Sequence, residues 1–342
     1  MTRLWSCAAL LLALSACVDG CAHEPARVEP LVVLERSTID ELERWTWPAG
    51  RDAWRPLAGH QLFALEQLVC LLIAEAERGR LSSVQQRRAA RLAALVGVEL
   101  RRTTIDVDGR GVELWILSEP ADDRRGRGSY LIRIGSRSSK TGAELLLQAP
   151  HSRFDRRTGE LALRLLVEGD AGSVRAVFLN SAHRYRQLDG SRTRREPPEQ
   201  NPADAAHNPE HPLARTTAAV LARRELMLVQ LHGFAPSAEA GDPELIVSSG
   251  ALQPSRASVA TVTRLQAALP EHPCGHYGVD TDRLGAERNV QGQTARKQSR
   301  CFVHLELSDR LRRQLLDDRE LRRRFASALP DGSAEELRHG CR

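Results

Sequence analysis

The apolar positions along this chain change their period part-way. From residue 61 to about 101 they recur at three- and four-residue steps, with Leu62, Leu65, Leu68, Val69, Leu72 and Ile73 on one stripe, the signature of an amphipathic helix. Gly79 interrupts the run and predicts two helices, a hairpin, rather than one. Beyond it the pattern shortens. Residues 103–107 and 112–117 flank Asp108-Gly109, a pair suited to a tight hairpin turn. A further strand is predicted at 129–134. Short apolar runs then alternate with helical stretches: strands at 145–149, 174–179, 226–231, 245–247 and 302–307, helices at 158–166, 203–224, 255–268 and 309–329. Strands alternating with helices predict an α/β domain, a mixed sheet flanked by helices. It is placed at residues 102–330, with 59–101 as an N-terminal helical extension.

The start of the chain carries a different pattern. Arg3 is followed by an apolar run from Leu4 to Leu14, too short to span a bilayer as a helix. This is the layout of a secretory signal peptide. The run ends in Leu14-Ser15-Ala16-Cys17, which resembles a lipobox, where cleavage precedes a cysteine that carries diacylglycerol. Residues 1–16 are therefore read as a signal peptide and Cys17 as the lipidated residue. Residues 17–58, with Pro25, Pro30, Pro48 and Pro56, are a lipid-anchored tether and entry segment, and 331–342 a tail. The folded part is expected in the cell envelope, outside the cytoplasm, tied to a membrane by its lipid.

Composition narrows the classes. The chain has 342 residues, 42% of them hydrophobic, enough for a real core. Its 49 basic residues face 44 acidic ones, for a net charge of +5. Only Lys140 and Lys297 are lysines. No basic run is interleaved with aromatic residues, so no nucleic-acid partner is expected. Of seven cysteines, Cys7 leaves with the signal and Cys17 takes the lipid. An oxidising compartment permits disulfides, and Cys274 with Cys301 is the expected pair. The odd number remaining leaves a free thiol. No CxxC occurs, so a zinc ribbon is not indicated.

Candidate chemistry gathers at the predicted strand ends, where open α/β sheets bind ligands. One strand runs into Ala149-Pro150-His151-Ser152-Arg153-Phe154-Asp155, with Glu160 shortly after. Another gives Gln230-Leu231-His232-Gly233, and a third His304-Leu305-Glu306-Leu307. Two histidines and a carboxylate form a common hydrolytic zinc set that leaves a position for water. His151 and His232 are the candidate ligands, joined by Asp155 or Glu160. Glu306 is the candidate general base. It shares a strand face with Phe302 and His304, while Val303, Leu305 and Leu307 take the other. Arg184, beside His183, is the candidate clamp for a substrate carboxylate, since its fork accepts one bidentately. His207 and His211 have a spacing that could bind metal, but a His/Pro-rich active-site loop or plain surface is the expected reading.

The pieces APHSRFDRRTGELA, NSAHRYR, VQLHGF and VHLELSDRLR together resemble the N-formylglutamate amidohydrolase and poly-γ-glutamate hydrolase group, related to the zinc carboxypeptidases. The resemblance covers about residues 143–325. It implies a carboxypeptidase-like fold, a zinc ion on His151, His232 and an acidic residue, and Glu306 as base. The carboxypeptidase spacing puts two residues between histidine and acid. Here Asp155 follows after three, so Asp155 is preferred and Glu160 kept beside it. The implied activity is a zinc-dependent amidohydrolase or peptidase acting on an amide bond near a carboxylate, in a glutamyl compound or cell-wall peptide. The rival reading is a non-catalytic envelope lipoprotein that binds a ligand or partner with the same fold.

Overall fold

The computed structural model describes residues 32–33, 36–47, 52–135, 144–168, 174–235 and 243–330. The signal segment, Cys17 and the tail lie outside these residues. Among the described residues no helix is long and apolar enough to cross a membrane.

The strands are β1 (Val32–Val33), β2 (Glu99–Val107), β3 (Arg110–Ser118), β4 (Ser129–Arg133), β5 (Glu144–Ala149), β6 (Val174–Leu179), β7 (Leu226–Phe234), β8 (Leu245–Ser248), β9 (Cys274–His276) and β10 (Phe302–Ser308). They form one ten-stranded sheet in the order β1-β2-β3-β4-β6-β5-β7-β10-β8-β9. The central strands β6, β5, β7 and β10 run parallel. The β2–β3–β4 meander joins them antiparallel through β6, and β8 joins them antiparallel through β10. Asp108 and Gly109 both have positive φ in the turn from β2 to β3, the backbone a two-residue hairpin loop demands.

Helices cover both faces: α1 (Ile39–Thr46), α2 (Gly59–Glu75), α3 (Ser83–Val96), α4 (Thr158–Glu168), α5 (Pro212–Leu221), α6 (Arg256–Ala268), α7 (Val290–Lys297), α8 (Asp309–Asp317) and α9 (Arg319–Ala328). The sheet's alternation sorts the core in two. Leu145, Leu147, Val229, Leu231, Val303, Leu305 and Leu307 point into one apolar layer with residues of α4, α6, α8 and α9. Leu146, Leu226, Leu228 and Phe302 point into the other with α2, α3 and α5. The apolar stripe of α2 therefore belongs to the same core as the sheet. The mixed α/β sandwich expected from the sequence is the observed fold.

Several local expectations need correction. The helix predicted over 203–224 forms only over Pro212–Leu221, because Pro209 and Pro212 bar a helix before that point. The long helix at 309–329 is divided at Asp318, whose side chain accepts from the amides of Glu320 and Leu321 and so starts α9 afresh. The expected Cys274–Cys301 disulfide is not formed: Cys274 is a free thiol, as is Cys70, while Cys301 is disulfide-bonded. Strand β9 sets Cys274 at the sheet's far edge, paired with Leu245 of β8. There burial pushes its thiol pKa up to about 12.

Candidate metal centre

The parallel register builds the site. Gln148 lies opposite Gln230, and Gln230 opposite His304. Two residues on, His232 lies opposite Glu306. These five residues share the face that carries Leu146, Leu228 and Phe302 nearer the strands' amino ends. The same face thus turns from apolar to polar as it nears the carboxyl ends. Beneath the site a row of buried amides fixes the geometry. Gln230 donates to Gln148 at 2.8 Å, and Gln148 donates to Thr217 at 2.6 Å. Asn289 donates to the Gln230 carbonyl at 2.7 Å.

His151 leaves β5 and enters a tight turn, in which the amides of Phe154 and Asp155 both reach its carbonyl at 2.7 Å. This turn brings Asp155 back beside it. The backbone carbonyl of Asp155, not its carboxylate, accepts from Thr158 at the start of α4. The carboxylate is left for the histidines: Asp155 Oδ2 is 3.5 Å from His151 Nδ1 and 3.3 Å from His232 Nδ1. All three residues are buried.

The opposite ring nitrogens have different partners. His151 Nε2 is 2.8 Å from Asp204 Oδ1, and His232 Nε2 is 3.3 Å from the side-chain Oε1 of Gln230. Both partners are acceptors, so both Nε2 atoms carry the proton in the neutral rings. Both Nδ1 lone pairs then face a carboxylate oxygen. At His151 the guanidinium of Arg184, 3.2 Å from Nδ1, offsets the repulsion between them; at His232 a cation among the donors would offset it. Three donors bound about 2.1 Å from one zinc at tetrahedral angles would stand about 3.4 Å apart, and the two separations from Asp155 Oδ2 match. The residues present fit zinc.

Electrostatics follow from the packing. Burial lowers His232 to about 4, against the opposing pull of Asp155. For His151, burial and Arg184 push downward, but Asp204 and Asp155 outweigh them and hold it above its ordinary value. Asp155 is held well below the carboxylate range: its burial is overcome by the neighbouring His151 and His232. Glu306 is driven well above that range by burial and then by the charge of Asp155.

The other predicted residues divide. Glu306 is buried and lines the same cleft of about 450 Å³ as His151, His232 and Arg184. Arg184 donates from Nε and Nη2 to Asp204 Oδ2 at 3.0 and 2.5 Å. Its Nη1 lies 3.2 Å from His151 Nδ1. The rings of Phe154 and Tyr185 flank it, with centroids 5.4 and 5.1 Å away. Glu160 does not reach the centre. It lies in the first turn of α4 and lines a separate depression with Glu43, Arg44 and Trp47. The tight turn at 151–155 uses the nearer acid, and α4 then carries Glu160 to another side.

Three further neighbours line or support the site, and of these only His207 had a candidate role from sequence. Asp204 is fully buried and orients both His151 and Arg184. His207 lines the cleft, its Nδ1 3.1 Å from Asp204 Oδ1. His304 is buried beside Glu306, its Nε2 3.6 Å from Glu306 Oε1. The cleft is also lined by the segment from Leu284 to Asn289 and by Tyr277. A side chain at Gly285 would collide with the Tyr277 ring, 2.1 Å from an added Cβ. His211 turns away from the centre: it caps α5 and stacks on Trp54 at 4.7 Å.

No family model and no curated protein sequence matches the chain. Among solved structures it is similar to zinc-free YndL, at 16% identity over 60% of this chain and 84% of that one, with a TM-score of 0.33. It is also similar to an aspartoacylase family protein from Mesorhizobium loti, at 15% identity over 70% of this chain and 69% of the other, TM-score 0.37. A third likeness is to tripeptide-bound Csd4, a cell shape determinant of Helicobacter pylori, at 14% identity over 56% and 51%, TM-score 0.35. These likenesses are distant; what marks the site is its geometry.

Proposed function

We propose that this chain is a zinc-dependent hydrolase of amide bonds that lie near a carboxylate, of glutamyl or cell-wall peptide type, working in the cell envelope on a lipid anchor at Cys17. One observation carries the reading: the Nδ1 lone pairs of His151 and His232 converge with Asp155 Oδ2 at the carboxyl ends of β5 and β7. A zinc ion held by these three would polarise the scissile carbonyl and make a water acidic.

The chain's own groups supply the rest. Burial and the Asp155 charge hold the Glu306 carboxyl protonated, and the charge of a zinc ion beside it would offset both. The carboxylate oxygen of Glu306 so freed accepts the proton of the attacking water and delivers it to the departing amine. Its place opposite His232 in the register puts that oxygen at the same strand ends. Asp204 keeps the proton of His151 on Nε2, so the Nδ1 lone pair, which faces Arg184 Nη1 as well as Asp155, is the one that would ligate. Arg184, braced by Asp204 and two aromatic rings, presents a fixed cation to the substrate's carboxylate. The buried walls exclude bulk water, which strengthens each of these charge interactions.

The test is hydrolysis of γ-glutamyl peptides and peptidoglycan stem peptides by the zinc-loaded protein. Glu306→Gln keeps the shape and removes the base. It should retain zinc and lose about 100-fold or more in turnover. Full activity in that variant removes Glu306 from the mechanism, and loss of zinc makes it a ligand. No hydrolysis by the wild type across the panel favours a binding protein on the same fold.

A further inference from the structure

His207 lines the cleft beside the three metal donors without being one of them. Its amide donates to the Asp204 carbonyl at 3.1 Å. Ala206, just before it, is pinned from two sides. Its amide donates to Asp204 Oδ1 at 3.1 Å, and its carbonyl accepts from Val290 at 2.9 Å. The imidazole is thereby held next to His151, the two rings nearly parallel with centroids 6.4 Å apart.

One edge of this ring faces protein and the other faces the cleft. Nδ1 is buried and lies 3.1 Å from Asp204 Oδ1, in a contact too bent for a hydrogen bond. The side chain is 19% exposed, so the open edge is the opposite one, which carries Nε2. A lone pair on Nδ1 would point at a carboxylate oxygen. The neutral ring therefore keeps its proton on Nδ1, and Nε2 presents a lone pair to the cleft.

An amide substrate near a carboxylate brings three polar groups to this cleft. Its carbonyl belongs at the donor set of His151, Asp155 and His232, and its carboxylate at Arg184. These leave the N–H of the scissile bond without an acceptor, and a donor taken out of water without one weakens binding. The amides beneath the site are already committed to one another. We infer that His207 Nε2 accepts the N–H of the scissile amide, so that the cleft selects amides over the corresponding esters. The inference rests on the hydrolase reading. It gives His207 a hydrogen bond to substrate and leaves the proton transfers to Glu306.

The experiment compares an amide with its ester. The zinc-loaded full-length protein is given the better cleaved of a γ-glutamyl dipeptide and a stem peptide, and the depsipeptide in which oxygen replaces the scissile N–H. His207→Phe should lose about 10- to 100-fold in kcat/KM on the amide, the cost of leaving a buried donor unpaired, and almost nothing on the ester. His207→Gln, whose side-chain oxygen can accept in place of Nε2, should recover much of the amide activity. If His207→Phe does not fold or loses its zinc, His207→Ala takes its place in the same comparison. Equal losses on amide and ester, or no loss on either, overturn the inference and leave the hydrolase reading standing. A zinc-loaded wild type that cleaves neither substrate overturns both.

Discussion

At the scale of single residues, the centre depends on which nitrogen of each histidine carries the proton. Asp204 makes that choice for His151 through a 2.8 Å contact to Nε2. Asp204→Asn keeps the volume but weakens the orienting acceptor. Zinc affinity should fall about 10- to 100-fold, the usual effect of losing such a partner. Competition with a chelator measures it, and unchanged affinity would make Asp204 a mere brace for Arg184. That His151, His232 and Glu306 would gather at strand ends was legible in the sequence, because each lies at or just past the end of an apolar strand. Asp204 was not, since it lies 53 residues from its partner, in a stretch whose composition read as helix. His304 was within reach, because the alternation of β10 already put it on the face of Glu306. It drew no role because a histidine inside a strand gives no sign of what faces it. Asp155 prevailed over Glu160 for a local reason, a turn whose amides fold back on the His151 carbonyl.

At the scale of elements, the loops after β6 do what the strands cannot. The segment from 183 to 192 carries Arg184, and a buried carboxylate from far upstream ties it down. Asp52 accepts from the amide of His183 at 2.8 Å, from Arg186 at 2.6 Å and from Arg192 at 2.5 Å. Sequence reading left Asp52 in the tether, because nothing near it in the chain shows a partner 131 residues away. Burial alone would raise its pKa, but hydrogen bonds from Arg186, His183 and Arg192 outweigh that and hold it well below the carboxylate range. A carboxylate depressed by folding adds stability above its unfolded pKa, about 3.9, and loses it as pH falls toward the folded value. Asp52→Asn should thus cost about 3 kcal/mol at pH 7, as when one partner of a buried ion pair is removed. The gap to wild type should narrow as pH falls below about 4. Denaturant unfolding at several pH values checks this, and a gap that does not change with pH would show that the charge of Asp52 is not what holds the loop.

At the scale of the whole molecule, the sheet order and the alternation of its strands decide where chemistry can occur. Four parallel central strands put their carboxyl ends on one edge, and only there does the face between β5, β7 and β10 become polar. That polar residues stand at the ends of three strands followed from sequence; the order of the strands and which of them run parallel did not. The attachment of α2 and α3 to the same core did not, because a helical period shows that a face is apolar but not what it meets. Location is a separate property. The short apolar run ending in Leu14-Ser15-Ala16-Cys17 leads us to expect that Cys17→Ser releases the protein from the membrane fraction. A wild type that is itself soluble in the cytoplasm contradicts the anchor.

The most direct test of the central claim is the zinc content of purified protein after dialysis. Wild type should keep one zinc per chain, and His151→Ala and His232→Ala should keep almost none while retaining wild-type circular dichroism. A wild type without zinc, or folded variants with as much zinc as wild type, would contradict the account.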